Sequence, residues 1–284
     1  MDLDGLKAWV GRRTSAEDIA ALPPVAALTA TLDRTDPPPK AGDKLPPLWH
    51  WLYFLEAKAA SELGPDGHPR RGGFLPPVPL PRRMWAGSRL SFLRPIPLGE
   101  PIRRDSEILK VEAKEGRSGP LVFVTVRHQV ISAGAAAIEE EHDIVYRGSP
   151  KPGDPAPPAK PAPADAAWAR RLVPDPVMLF RYSALTFNGH RIHYDHPYVT
   201  AIEGYPGLVV HGPLQATLML DLLRRQRPEA KVRGFSFRAL SPVFADRPLT
   251  VGGRPTESGT SVALWVANDT GALAMEGEAM LAGG

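Results

Sequence analysis

The chain has 284 residues, 43% of them hydrophobic and 23% charged, with a formal net charge of +3. That length fits two average domains better than one small core, and no apolar run is long enough to span a membrane. With no Cys at all, disulfides, thiol catalysis and thiolate metal sites are excluded. The mild cationic surplus comes without a Lys/Arg block interleaved with aromatics, which argues against nucleic acid and stays compatible with a small polyanion such as a nucleotide-bearing group. The acidic opening Met1-Asp2-Leu3-Asp4 lacks the layout of a secretory signal, so the cytoplasm is the expected compartment.

In chain order, residues 4 to 32 read as one or two short helices, the second capped by Thr14-Ser15-Ala16-Glu17. After the proline punctuation at 37–39 and 46–47, the apolar spacing from Leu48 to Leu63 predicts a largely buried helix ended by Gly64-Pro65. The Pro/Gly/Arg-rich loop that follows, to about Pro81, is long enough to be functional or wrapped over another surface. Extended segments are expected near 84–92, 101–112, 121–130 and 138–147. The stretch 149–176, rich in Pro and Ala with one apolar patch at Trp168 to Leu172, reads as a linker between an N-terminal unit (1–148) and a C-terminal unit (177–284).

The second unit repeats the first. Phe180 to Asn188 opens it, Leu214 to Leu223 is an apolar helix, and strands are expected at 232–237, 249–254, 260–267 and 272–280. Phe92 to Ile102 aligns with Leu240 to Leu249 in its prolines, an internal repeat offset by about 147 residues. Two such units suggest an α+β fold of two curved antiparallel sheets, each wrapping one helix, packed side by side.

The chemistry concentrates between Phe180 and Gln215. Asn188 and His193 lie five apart in a segment that Gly189 breaks out of regular structure, so both can reach one pocket. His193 is the natural general base or acid near neutral pH, and Asn188 can accept from and donate to a water beside it. Tyr182, Tyr194 and Asp195 are candidate supporting groups. Gly212-Pro213 then opens a helix with Pro at its first turn; the unpaired N–H groups of Gly212 and Leu214 can hold a carbonyl or oxyanion.

These residues resemble the MaoC-like hydratases and dehydratases of the hotdog fold. Asn188-Gly189-His190-Arg191-Ile192-His193 fills the frame of their Asp-x-Asn-Pro-x-His signature, and His211-Gly212 matches their His-Gly at the central helix. The run Thr186 to Asp195 is most similar to the double-hotdog branch that contains mesaconyl-C4-CoA (3-methylfumaryl-CoA) hydratases and mitochondrial-type 3-hydroxyacyl-thioester dehydratases. The resemblance implies two tandem hotdog units, the first degenerate. It implies water added across the α,β double bond of an enoyl-CoA thioester, with coenzyme A as part of the substrate and no other cofactor. Where the signature has Asp this chain has Asn188, which cannot titrate. His193 is then expected as the single titrating group of the pair, Asn188 orients the water, and one water supplies hydroxyl and proton in a syn addition. Asp195 taking the carboxylate's role is the rival.

Other readings stay open. His190, His193, Asp195 and His196 offer a metal set, although no metal is expected. Arg181 and Arg191 flank the motif and could bind a free carboxylate on a dicarboxylic substrate, with His211 as a secondary contact. Arg224, Arg225 and Arg227 complement a helix C-terminus or meet phosphates. The alternatives in function are an (R)-3-hydroxyacyl thioester dehydratase of fatty-acid type, a hotdog thioesterase, or a non-catalytic acyl-thioester binding subunit. Monomer and homodimer are both compatible, as are CoA and an acyl carrier protein as carrier.

Overall fold

A computed structural model describes residues 2–116, 119–148 and 159–283. The N-terminal half contains α1 (Leu3–Lys7), β1 (Arg13–Ile19), α2 (Leu22–Thr31), β2 (Arg82–Phe92), β3 (Pro101–Gly116), β4 (Gly119–Ser132) and β5 (Ala135–Arg147). The C-terminal half contains β6 (Trp168–Leu172), α3 (Pro176–Thr186), α4 (His196–Ala201), α5 (Gly212–Gln226), β7 (Val232–Ala239), β8 (Leu249–Pro255), β9 (Ser261–Ala267) and β10 (Leu273–Leu281). All ten strands form one antiparallel sheet in the order β1-β3-β4-β5-β2-β7-β10-β9-β8-β6. Each half contributes five strands in the same relative order, and β2 and β7 join the halves through Gly87↔Arg238 to Ser91↔Gly234.

The internal repeat is visible in individual hydrogen bonds. Leu45 N–H donates to Ile96 C=O (2.9 Å) and Leu98 N–H to Asp43 C=O (2.8 Å); Val210 N–H to Val243 C=O (2.8 Å) and Ala245 N–H to Leu208 C=O (2.8 Å) are their counterparts. The amides of Leu93 and Arg94 both donate to Ala137 C=O, as those of Leu240 and Ser241 do to Ala274 C=O. The architecture is therefore the expected double hotdog.

α5 is the central helix of the second unit. Pro213 occupies its first turn, and every residue from Leu214 to Leu223 is buried. It packs on β6, β8, β9 and β10, so its side chains have sheet on most sides and solvent on almost none. Its buried Asp221 accepts from Arg170 (2.7 Å), Arg225 (2.8 Å) and Arg34, the last tying the first half to the second.

Three expectations change. The helix expected over Leu48–Leu63 is a 3₁₀ turn at Trp49–Leu52 followed by irregular chain and a second turn at Ala60–Glu62. Burial is confined to Leu48 to Phe54, with Trp51 half-buried, and residues 55–62 are exposed, so the apolar spacing does not belong to one buried helix. Phe54 turns at φ 60° with its N–H on the Asp18 carboxylate (2.7 Å), while Trp51 Nε1–H and His50 Nε2 reach the buried Glu140 at 3.0 and 3.2 Å. Residues 13–19, expected to begin a second helix, form edge strand β1. Ser15 Oγ–H on Asp105 (2.7 Å) and Arg13 with Glu107 (3.3 Å) supply cross-strand partners that the local pattern could not reveal. The patch at 168–172 inside the expected linker is strand β6, paired with β8; residues 149–158 of that stretch lie outside the described residues.

Candidate active site

The site forms where the loop after α3 meets the start of α5. Thr186 ends α3, Phe187 caps it in the left-handed region at φ 49°, and Asn188 N–H donates to Ser183 C=O (2.8 Å). Asn188 Oδ1 accepts His190 N–H (3.0 Å), closing a turn that leads into the single 3₁₀ turn Arg191–His193. Its side-chain carbonyl is thus used in the turn.

His193 is buried, with 6% of its surface exposed. Val209 N–H donates to Ile192 C=O (2.9 Å), and the Nδ1–H of His193 donates to Val209 C=O (2.7 Å). This second bond fixes the tautomer and leaves Nε2 as an acceptor. Burial lowers His193 to about 4, opposed by the Val209 carbonyl, so the imidazole is neutral at physiological pH.

His193 stacks on His211 at 3.6 Å between ring centroids and 19° between planes. His211 is the residue immediately before α5, and its Nε2 meets Ser183 Oγ at 2.8 Å. The Tyr182 ring packs edge-on at 5.0 Å and is itself fully buried. Intrahelical bonding begins with Gln215 N–H on His211 C=O (3.1 Å), so the N–H groups of Gly212 and Leu214 precede the first helical bond. A Cβ on Gly212 would meet only Met275 Cε, at 4.0 Å, leaving room for a ligand against the backbone. The His193 imidazole and the N–H groups at the start of α5 therefore stand side by side.

The loop 64–81 is wrapped over this segment, one of the two roles its length suggested. Arg191 N–H donates to Asp66 C=O (2.9 Å) and its Nη1 to Pro65 C=O (3.0 Å). Gly67, at φ +87°, lies so close to Gly189 that a Cβ would fall 2.0 Å from the Gly189 oxygen. This contact brings His68 onto His190 at 4.1 Å, and His190 meets His193 edge-on at 5.5 Å. His68 Nδ1 lies 3.3 Å from Asp66 Oδ2. Although burial opposes it, the bond with His68 holds the Asp66 carboxyl well below the usual range, while burial pushes His68, His190 and His211 down. Four neutral imidazoles thus run from the loop to the helix start. Asp66, His68 and His190 place one donor atom each within 4.8 Å of one another, the trio here with a spacing a metal ion could use. Of the metal set considered from sequence, His196 is exposed and Asp195 is engaged elsewhere.

Several expected site residues have other duties. Asp195 caps α4 by accepting Tyr198 N–H (3.0 Å) and pairs with Arg191 (2.7 Å). Arg191 also lies 4.1 Å over the Tyr198 ring, so its guanidinium is committed. Arg181 is exposed on α3, and Tyr194, half exposed, donates to Gly189 C=O (3.1 Å). Arg224 binds Asp36 (2.8 Å) and Arg225 binds Asp221, while Arg227 lies 5.3 Å over Trp168, at the far end of α5 from His193. Asp66, His68 and Ser183 were not singled out from sequence. The only signal for the first two was the length of their loop, because the contact to His190 spans more than a hundred residues.

A double hotdog carrying a buried neutral imidazole at the start of its central helix defines a MaoC-like hydro-lyase. Residues 48–245 match the family described as hydroxyacyl-thioester dehydratase type 2, and the chain belongs to that family. It is 48% identical over 279 residues to mesaconyl-C(4)-CoA hydratase of Chloroflexus aurantiacus, covering 97% of this chain and 98% of that one. It is 32% identical over 232 residues to the mitochondrial hydroxyacyl-thioester dehydratase type 2 of Schizosaccharomyces pombe, covering 73% and 77%. Among solved structures, a MaoC-like dehydratase from Phytophthora capsici superposes with a TM-score of 0.66 at 16% identity over the full length of both chains.

Proposed function

We propose that the chain hydrates the α,β double bond of a short, branched, dicarboxylic enoyl-CoA, mesaconyl-C4-CoA, giving citramalyl-CoA. The observation that carries the chemistry is the stack of His193 on His211, which sets a neutral acceptor nitrogen beside the free N–H groups of Gly212 and Leu214. The thioester carbonyl accepts from those N–H groups, which favour the enolate as negative charge develops on oxygen. His193 Nε2 takes a proton from water as the hydroxyl adds to the β-carbon, and returns it to the α-carbon on the same face. The Asn188 amide N–H₂ orients that water. Hydration transfers no electrons, so the reading calls for no cofactor beyond the coenzyme A that the substrate carries. The choice of acyl group rests on the high identity to the Chloroflexus enzyme over nearly the whole of both chains.

Loss of the enoyl-thioester absorbance reports the reaction directly. His193→Ala lowers kcat by about 10²- to 10⁴-fold, whereas Asp195→Asn, which can still cap α4, keeps most of the turnover. The reverse pattern overturns the assignment of the base. The S. pombe relative favours a second reading, dehydration of a 3-hydroxyacyl thioester, which is the same chemistry run backwards; crotonyl-CoA assayed beside mesaconyl-C4-CoA separates the two.

A further inference from the structure

The two halves of the chain correspond residue by residue around the start of α5. Leu45 and Ile96 stand where Val210 and Val243 do, and the bridge of Lys44 with Pro97 repeats that of Val209 with Phe244. One and two residues further on, Pro46 and Pro47 occupy the places of His211 and Gly212. Pro46 C=O accepts Trp49 N–H (3.1 Å) as His211 C=O accepts that of Gln215. Because Ala137 corresponds to Ala274, Ile138 corresponds to Met275, the side chain nearest Gly212. The N-terminal half therefore has its own counterpart of the catalytic pocket. Proline offers neither an imidazole nor an N–H, so that counterpart lacks the groups that act at the start of α5.

The cavity itself is kept. About 570 Å³ opens between residues 44–49 and 92–96 of the first half and the C-terminal end of α5 with residues 228–233 of the second. That is the size of a small-molecule site. Its apolar wall contains Leu45, Trp49, Ile96, Ile138 and Leu223, all buried. Its cationic lining is Lys44, Arg94, Arg227, Lys231 and Arg233, none of which has a carboxylate within ion-pair distance among the described residues. Against them stands Glu229, since Asp221 is enclosed by Arg34, Arg170 and Arg225. Arg224, also in the wall, holds Asp36 through Nη2 (2.8 Å) and leaves Nη1 buried without a hydrogen-bond partner. A buried donor in that state calls for a ligand or ion to complete it. Neutralising the C-terminal dipole of α5 accounts for Arg224 and Arg227. It does not account for Lys44 and Arg94, which come from the other half, or for Lys231 and Arg233, which lie beyond the helix.

We propose that this cavity is a second, non-catalytic acyl-CoA site, with the acyl chain on the apolar wall and the phosphates of the coenzyme among the cations. A multiply anionic head on an apolar tail is the chemistry that both parts of the lining match together, and phosphates form charge-assisted hydrogen bonds with guanidinium groups. The proposal rests on the hydratase reading for the class of ligand held by the pocket it duplicates, but its test reads binding rather than turnover.

Octanoyl-CoA, a saturated thioester that cannot be hydrated, is titrated by calorimetry into the wild type, Gly212→Leu and Arg94→Glu/Arg233→Glu, and into the triple variant. Gly212→Leu sets a side chain over the helix-start donors, whereas Arg94 and Arg233 are exposed and their reversal leaves the core intact. Gly212→Leu abolishes hydration yet still binds octanoyl-CoA at one site per chain, and the triple variant weakens that binding by about 10- to 100-fold, the worth of a charge-assisted contact. Arg94→Glu/Arg233→Glu alone keeps the wild-type kcat/KM for mesaconyl-C4-CoA. Free CoA binds Gly212→Leu at least about tenfold more weakly than octanoyl-CoA, because it buries no acyl chain. If Gly212→Leu does not fold, a wild-type stoichiometry of two that falls to one in Arg94→Glu/Arg233→Glu makes the same distinction. Free CoA binding as tightly as octanoyl-CoA overturns the acyl-thioester assignment. A folded Gly212→Leu that binds no octanoyl-CoA, or binding indifferent to the charge reversal, overturns the second site and leaves the hydratase reading standing. A wild type that binds octanoyl-CoA through Arg94 and Arg233 yet hydrates no enoyl thioester overturns the hydratase reading instead.

Discussion

A pH profile of kcat/KM tests whether the base is buried and neutral. In water an imidazole titrates near 6.5, so at pH 5.5 about nine molecules in ten would carry the proton and be unable to act as a base. Burial brings His193 down to about 4, and at pH 5.5 only about three molecules in a hundred are then protonated. The acid limb of kcat/KM is therefore expected close to pH 4, with activity nearly flat from 5.5 to 7. The same shift bears on stability. Because the folded-state value lies below the unfolded one, the unfolded chain binds the proton first as pH falls. The stability tied to neutral His193 is fully present above about 6.5 and is lost progressively toward about 4, at about 1.4 kcal/mol per pH unit, or about 3 kcal/mol across that window. His190 and His211 are pushed down by burial as well and act in the same sense. Initial rates at low enoyl-thioester concentration, from pH 4.5 to 8 with circular dichroism at each point, separate loss of the base from loss of the fold. An acid limb centred near 6.5 on a protein that is still folded would refute the burial argument.

Two further outcomes follow from particular contacts. Gly67→Ala combines a positive φ with a Cβ 2.0 Å from the Gly189 oxygen, so the loop must lift off the 188–191 turn; a stability cost of about 1–3 kcal/mol is expected by thermal denaturation, with a larger fractional loss in kcat/KM, and an active enzyme with unchanged kinetics would show that His68 and Asp66 are dispensable. Asp221→Ala leaves the guanidinium groups of Arg34, Arg170 and Arg225 around a buried position without their carboxylate, so urea unfolding should show a loss of about 3–5 kcal/mol; a loss under about 1 kcal/mol would mean that the network behaves as a surface cluster.

What the sequence determined by itself is what short-range chemistry encodes. The strands from 82 to 147 and 232 to 281 follow from alternation and turn residues, and α5 follows from Pro213 and the apolar run behind it, because both patterns are set within a few residues. The pairing of His193 with the start of α5 was legible for the same reason: both belong to one segment of about 35 residues whose motif resembles a known family. The 147-residue repeat, carried by a few prolines, foretold the matching hydrogen bonds of the two halves.

Tertiary structure decided what depends on distant partners. Within Leu48 to Phe54 the apolar side chains are packed inside, whereas residues 55–62 are exposed, so the apolar spacing across 48–63 does not mark one helix; Asp18 and Glu140 supply hydrogen bonds that hold the buried part otherwise. β1 exists because β3 offers it cross-strand partners. Asp66 and His68 join His190 only through the Gly67–Gly189 approach, which no local pattern announces. The arginines make the point most plainly. Arg191 and Arg181 lie within the motif, yet one is neutralised by Asp195 and the other faces solvent. Whether a cation is available to a substrate depends on which carboxylates the fold brings to it, and that is fixed by packing rather than by its neighbours in sequence.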